Sequence, residues 1–259
     1  MTPKFSLKHL HKSFGQKHVL QGVNLEIFPG ESMVIIGGSG TGKSVLLKCL
    51  LGLLHADKGS IQMDGQEILK ESSTQQEQRL QDIGVLFQGS ALFDSLTVWE
   101  NVAFRLIYAQ HMNRKEAKLI ALQKLASVGL NESVANLSPA EISGGMQRRV
   151  ALARAIATQP HVLFFDEPTA GLDPIFSSVI NDLIRGCVNE LGATALTITH
   201  DMKSARAVGD RIAMLYDGKI LWCGPADEID TCDNPYVQQF IHGSATGPIH
   251  LETDLQHVA

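Results

Sequence analysis

The sequence contains no run of about 18 consecutive apolar residues, which is the length that a membrane-spanning helix requires. Its first residues, Met1–Phe5, also lack the apolar stretch of a secretory signal. We therefore expect that the chain does not enter a membrane by itself. Any role at a membrane would then depend on a partner.

Cysteine and clustered basic charge are also scarce. The four cysteines form no CxxC pair and have no zinc-ligand spacing, so we expect reduced, unreactive thiols in a cytosolic protein. The formal net charge is −5 and no basic stripe is present, so we expect no nucleic-acid partner.

What is present is a globular composition of 259 residues, 44% hydrophobic and 19% charged. Short alternating segments over residues 5–27 predict antiparallel strands. Apolar strand segments then alternate with helical patterns, and residues 90–158 are helical in pattern. The predicted fold class is α/β: a P-loop core with a small antiparallel β part and an inserted helical segment.

Residues 37–44 form a complete phosphate-binding loop between the apolar run 33–36 and a helix start. Backbone N–H groups of such a turn and the helix N-terminus favour polyphosphate, so the chain is predicted to bind a nucleoside triphosphate. Lys43 can reach the β- and γ-phosphates, and the Ser44 hydroxyl can bind Mg²⁺. The predicted nucleotide-binding residues here are Gly37, Gly38, Ser39, Gly40, Thr41, Gly42, Lys43 and Ser44.

A second motif is the apolar run 162–165 followed by Asp166 and Glu167. The acids are expected at the carboxyl end of a strand, where α/β sheets place ligands. Asp166 suits the Mg²⁺ shell, and Glu167 suits the attacking water.

The segment Ile142-Ser143-Gly144-Gly145-Met146-Gln147 comes just before a helix and about twenty residues before that acidic pair. In this order and spacing the chain resembles the ATP-binding cassette family, whose signature motif is written LSGGQ. Here Met146 stands where glutamine is usual, with Gln147 one place later. Ser143, Gly144 and Gly145 at a helix N-terminus can hold a γ-phosphate, which in this family belongs to ATP bound by the other subunit.

Four further positions match the family pattern and take their roles from the resemblance. Gln88 falls where a glutamine contacts Mg²⁺ and links the core to the helical segment. Asp173 falls in the loop that crosses the dimer interface. His200 matches the histidine that contacts the γ-phosphate. Phe14 sits where an aromatic ring stacks on adenine, although a strand-end aromatic also suits a core. The catalytic set is therefore predicted as Lys43, Gln88, Glu167 and His200, and the Mg²⁺ ligands as Ser44, Gln88 and Asp166.

The resemblance also implies an organisation. Residues 1–89 and 159–240 are predicted as the nucleotide-binding core, 90–158 as the helical subdomain and 241–259 as a C-terminal extension. Two chains would pair head to tail around two ATP molecules, and hydrolysis would drive a membrane permease from the cytoplasmic face of the inner membrane.

Within the family, residues 84–98 and the tail 240–248 resemble the ATPases of bacterial lipid-asymmetry (Mla) and toluene-tolerance transporters. That resemblance implies phospholipid transport, a periplasmic lipid-binding component reached indirectly, and a tail that contacts the neighbouring ATPase subunit. Leu92, Phe93, Val98 and Trp99 are predicted to form the permease docking surface, and burial in the core is the alternative. A nutrient or amino-acid importer ATPase and a soluble iron–sulfur assembly ATPase remain alternative functions.

Overall fold

Two separate sheets contain the ten strands found in residues 2–249, the part of the chain that the computed structural model describes. The strands are β1 (Phe5–Phe14), β2 (Lys17–Ile27), β3 (Ser32–Ile36), β4 (Lys58–Met63), β5 (Gln66–Glu67), β6 (Ile83–Leu86), β7 (Val162–Asp166), β8 (Thr194–Thr199), β9 (Arg211–Tyr216) and β10 (Lys219–Pro225). The helices are α1 (Lys43–Leu51), α2 (Ser73–Gln81), α3 (Val98–Tyr108), α4 (Arg114–Ser127), α5 (Gly144–Ile156), α6 (Pro174–Leu191), α7 (Met202–Val208) and α8 (Pro235–His242).

The smaller sheet has the antiparallel order β2-β1-β4-β5, which confirms the antiparallel part predicted at the N-terminus. Its β4-β5 turn uses Asp64 and Gly65, both at positive φ, as a tight hairpin turn requires. The larger sheet has the order β10-β9-β3-β8-β7-β6 and is parallel from β9 to β6, with β10 antiparallel at the edge. The predicted α/β P-loop fold is therefore confirmed.

Strands β3, β7 and β8 are buried along their whole length because both faces of the larger sheet are covered. Successive side chains point to opposite faces, and they enter two different cores. Val34 and Ile36 join the core beneath the long helices, whereas Met33 and Ile35 join the core shared with the smaller sheet and α1. The near-continuous apolar runs read from the sequence are thus central parallel strands.

The register of the parallel strands places the predicted site residues at one edge. Ile36 pairs with Thr199, and Asp166 pairs with Ile198. The glycine loop after β3, the acids ending β7 and His200 after β8 therefore leave the sheet at the same level, and Gln88 follows β6 on the same side. This is the edge where α/β sheets bind ligands.

Helices α3, α4 and α5 pack against one another and form the helical segment predicted for residues 90–158. Helix α3 begins at a capping box in which Thr97 and Glu100 exchange hydrogen bonds. The proposed domain limits stay a prediction, and α8 runs to His242, past the predicted limit at 240. Residues 250–259 of the predicted extension lie outside the described residues. No helix within residues 2–249 has both the length and the apolar character to cross a bilayer.

Candidate nucleotide site

The loop after β3 can take its shape only with glycine at key positions. A Cβ atom on Gly37 would lie 2.3 Å from the carbonyl oxygen of Leu215. Gly42, at φ +103°, is crowded by Val19. By contrast, a Cβ on Gly40 would meet no atom within 4 Å, so this side of the loop is open. The glycines therefore let the backbone turn tightly against the fold while leaving room for a ligand.

Lys43 lies under this loop and is 7% exposed. Its ammonium donates to the carbonyl oxygens of Gly37 (2.8 Å) and Gly38 (2.9 Å), and one Glu167 carboxylate oxygen is 3.8 Å away. Burial lowers the pKa of Lys43, and the charges of Glu167 and Asp166 oppose that change. Because an ammonium has three N–H donors, one donor is left for a phosphate oxygen.

Ser44 and Asp166 offer two oxygen ligands close together, with 3.4 Å between the Ser44 hydroxyl and the carboxylate. Burial, followed by the charge of Glu167, raises the pKa of Asp166, so a cation here would relieve an unfavourable buried charge. In residues 2–249 no cluster of three or more His, Cys, Asp or Glu side chains could hold a metal by itself. This donor set fits Mg²⁺, which commonly binds one or two protein oxygens and completes its shell with phosphate and water.

Glu167 and His200 form the other half of the site. The Nδ1 atom of His200 is 3.0 Å from the Glu167 carboxylate, and it must donate there because a carboxylate only accepts. Glu167 is 8% exposed and adopts a positive φ of 47°, which is unusual for a residue with a side chain. Such strain persists where the surrounding structure enforces it, as it does at functional sites.

A cavity of about 470 Å³ brings most of the predicted residues together. Phe14 lines it with a half-exposed ring, and the ammonium of Lys12 lies 5.4 Å from the ring centroid. Phe14 is thus free of the core, which removes the alternative that it packs inside. The predicted residues that line the cavity are Phe14, Ser39, Gly40, Gly42, Lys43, Ser44, Gln88, Glu167 and His200.

The predicted signature residues Ser143, Gly144 and Gly145 do not line this cavity, and neither does Asp173. Ser143 is the N-cap of α5, and Asp173 is the N-cap of α6, accepting hydrogen bonds from Ile175 and Phe176. The signature therefore lies at a helix N-terminus that Ser143 caps, outside the lining of the cavity formed by the glycine loop.

Sequence reasoning assigned no role to several buried polar residues around the site. Arg148, 7% exposed, donates to the carbonyl oxygens of Phe87 and Ala170 and so joins α5 to the segments around Gln88 and Asp173. Thr169, Asn181 and Ser204 form a second cluster, and Thr169 and Asn181 line a cavity of about 610 Å³ together with Glu167 and His200. No spacing signal identifies these residues, because their partners come from distant parts of the sequence.

The predicted permease docking surface needs correction. Val98 is fully buried and Trp99 is 9% exposed, because α3 turns both side chains into the core of the helical segment. Leu92 is partly buried against the same core. Phe93 is 42% exposed and lies against Phe104, with 4.5 Å between ring centroids. Phe93 and Phe104 line an apolar cavity of about 430 Å³ together with Phe87, Arg105 and Arg154.

Comparison with known proteins agrees with this geometry. Residues 20–170 match the protein family described as "ABC transporter". The chain is 45% identical over 258 residues to "Protein TRIGALACTOSYLDIACYLGLYCEROL 3, chloroplastic" of Arabidopsis thaliana, covering 93% of this chain and 74% of that protein. It is 35% identical over 250 residues to "Intermembrane phospholipid transport system ATP-binding protein MlaF" of Haemophilus influenzae, covering 96% and 94%.

Among solved structures, a dimeric ATP-binding cassette in a post-hydrolysis state with ADP and phosphate superposes with a TM-score of 0.79. It is 34% identical and the match covers 86% of this chain and 98% of that one. Relatives whose names describe ribonucleotide transport and amino-acid import match over similar lengths.

Proposed function

The chain belongs to the ATP-binding cassette (ABC) transporter family, whose members hydrolyse ATP with Mg²⁺ to drive transport, and we propose that this one powers movement of phospholipid between membranes. The observation that carries the proposal is the 35% identity to a phospholipid transport ATPase across 94% of that protein. The relative from Arabidopsis, whose name contains a galactolipid, supports the wider class of membrane lipids as substrate.

The site geometry supports a role for each residue. The loop around Gly40 and the ammonium of Lys43 would hold the β- and γ-phosphates, and Phe14 would stack on adenine. Ser44, Asp166 and Gln88 would hold Mg²⁺, which offsets phosphate charge when bound. Glu167 would orient the attacking water, and His200 would hold the Glu167 carboxylate and contact the γ-phosphate. Ser143 and Asp173 would act on the nucleotide of a second chain.

Two substitutions test these roles. Glu167→Gln should lower kcat by about 100-fold or more while MgATP still binds, because the amide keeps the shape of the side chain but not its charge. Lys43→Ala should abolish MgATP binding or turnover. Filter binding and phosphate release measure the two properties separately. Undiminished hydrolysis by Glu167→Gln would remove Glu167 from the mechanism.

The cavity beside Phe93 is the proposed contact for a permease. Its walls are mainly apolar. The ring of Phe104 packs against the rings of both Phe93 and Tyr108, and Tyr108 is 55% exposed. The guanidinium groups of Arg105 and Arg154 donate to backbone carbonyl oxygens in the described chain, not to carboxylates. An amphipathic helix with an acidic residue would suit this surface.

The contact is tested with the permease that copurifies from detergent extracts, identified by mass spectrometry. Phe93→Asp should weaken its binding by about 10-fold or more, because a carboxylate would be buried among aromatic rings. Leu119→Asp is the matched control, since Leu119 is 63% exposed on the same helical segment but does not line the cavity. Equal binding by both variants would place the permease elsewhere.

Amino-acid import is the second candidate, because relatives named for it also match. The two functions separate in vesicles that contain the chain and its permease. ATP-dependent transfer of labelled phospholipid, lost with Glu167→Gln, would support the first proposal, and ATP-dependent amino-acid uptake without lipid transfer would overturn it. We place the chain peripherally on the cytoplasmic face of an inner membrane, with a periplasmic lipid-binding component reached only through the permease.

A further inference from the structure

A buried polar cluster lies close to the Glu167–His200 pair, and two of its members line one cavity together with that pair. Its members come from three places in the sequence: Thr169 from the turn after Glu167, Asn181 from the middle of α6, and Ser204 from the first turn of α7. They are 6%, 5% and 0% exposed. Most buried polar groups in proteins have hydrogen-bond partners. These three side chains bond to one another, although the Asn181 amide oxygen has no partner within residues 2–249.

The hydrogen bonds of the Ser204 hydroxyl can be assigned completely. It is 2.6 Å from an Asp201 carboxylate oxygen, 3.0 Å from the amide nitrogen of Asn181 and 2.9 Å from the Thr169 hydroxyl. A serine hydroxyl has one proton and two lone pairs. Because the carboxylate can only accept, the proton goes to Asp201, so Asn181 and Thr169 must both donate to Ser204.

This cluster reaches both partners of the catalytic pair through short backbone segments. Thr169 is two residues from Glu167 in a turn closed by the hydrogen bond from the Ala170 N–H to the Glu167 carbonyl oxygen (3.2 Å). Asp201 directly follows His200, and it also accepts hydrogen bonds from the backbone N–H groups of Lys203 and Ser204 at the start of α7. The segments that carry Glu167 and His200 are therefore tied to the same hydroxyl.

We propose that Thr169, Asn181 and Ser204 are positioning residues that keep His200 within hydrogen-bond distance of the Glu167 carboxylate. None of the three has to touch the nucleotide. The inference rests on the roles proposed above for Glu167 and His200. Asn181 and the N-cap Asp173 belong to the same helix, so α6 joins the predicted dimer-facing loop to the cluster.

Thr169→Val is the most direct test, since valine keeps the shape of threonine and replaces the hydroxyl that bonds to Ser204 by a methyl group. We expect kcat for ATP hydrolysis to fall about 10-fold, with the KM for MgATP changed less than about 2-fold, because misplacement of a reacting group affects the transition state more than ground-state binding. Thr169→Ser keeps the donor and should restore kcat to within about 2-fold of the native value. Ser204→Ala should lower kcat to a similar extent and serves if the valine variant does not fold.

Ser32→Ala is the control for loss of a buried hydroxyl. Ser32 is 1% exposed and donates to the Val208 carbonyl oxygen (2.6 Å) at the end of β3 away from the site. This variant should lower the melting temperature and leave kcat unchanged. The proposal is overturned if Thr169→Val and Ser204→Ala keep native kcat, if Thr169→Ser loses as much as Thr169→Val, or if Ser32→Ala lowers kcat equally. Failure of the wider mechanism would show separately, as undiminished turnover by Glu167→Gln.

Discussion

Burial shifts the pKa values of two charged side chains in the site. Lys43 and Asp166 are each 7% exposed, and burial lowers the pKa of the amine and raises that of the acid. Both changes disfavour the charged form. The Lys43 ammonium is attracted to both carboxylates and so opposes these changes, whereas the charge of Glu167 adds to the rise in the pKa of Asp166. A bound polyphosphate would place negative charge beside Lys43, and Mg²⁺ would place positive charge beside Asp166. The protein alone balances these charges only in part.

The buried thiols lead to a prediction at the same scale. Burial raises the pKa of Cys49 and of Cys187 to about 11, so at pH 8 only about 0.1% of each is the reactive thiolate. We expect iodoacetamide to label both about 100-fold more slowly in the folded protein than in urea. Peptide mass spectrometry over time measures the rates. Equal labelling of Cys49 before and after unfolding would contradict its burial.

At the scale of elements, the sequence was most informative where one pattern determines one local structure. The runs at 33–36 and 162–165 are central strands because both faces of their sheet are covered, and the glycine loop has the strand and helix that its pattern requires. Most of the nucleotide site follows, since parallel strands bring their carboxyl ends to one edge.

The permease docking surface was harder to predict, because contacts with neighbouring helices decide which face of a helix is buried. Val98 and Trp99 are apolar and adjacent to a loop, which suits a surface or a core equally well. Contacts of α3 with α4 and α5 place both inside. The Thr169–Asn181–Ser204 cluster was equally hard to predict. No residue of the cluster stands out in its own segment, and the hydrogen bonds that define the cluster join residues up to 35 positions apart.

Asn101 makes the folding of this segment testable. Fully buried on α3, it accepts from the Phe93 N–H (2.8 Å) and donates to carbonyl oxygens of Phe93, Leu96 and Thr97. Asn101→Leu should lower the free energy of unfolding by about 2 to 3 kcal/mol, because the loop groups lose their partner in the interior. Urea denaturation measures the change. Asn189→Leu, on the exposed face of α6, should stay within about 0.5 kcal/mol.

At the scale of the whole molecule, the signature and the glycine loop do not share a cavity within one chain. Helix N-termini favour phosphate, and Ser143 caps the N-terminus of the signature helix. The solved relative with ADP and phosphate is a dimer. Two chains that face each other head to tail would bring each glycine loop to the partner's Ser143, which gives a closed two-fold assembly with two equivalent sites.

Mixed dimers test this arrangement directly. All chains would carry Glu167→Gln, so that bound ATP is not consumed, and one of two tagged partners would add Lys43→Ala while the other adds Ser143→Arg. If each site combines Lys43 of one chain with Ser143 of the other, the mixed dimer keeps one intact site and should retain about one ATP, whereas the Glu167→Gln dimer retains about two. Sequential affinity purification and nucleotide analysis give the count. If Lys43 and Ser143 of the same chain formed a site, both sites of the mixed dimer would be damaged and no ATP would be retained. The dimer in which both chains carry Glu167→Gln and Ser143→Arg is the control: it should retain almost no ATP, and retention of about two would show that Ser143 takes no part. Either result would exclude the head-to-tail arrangement.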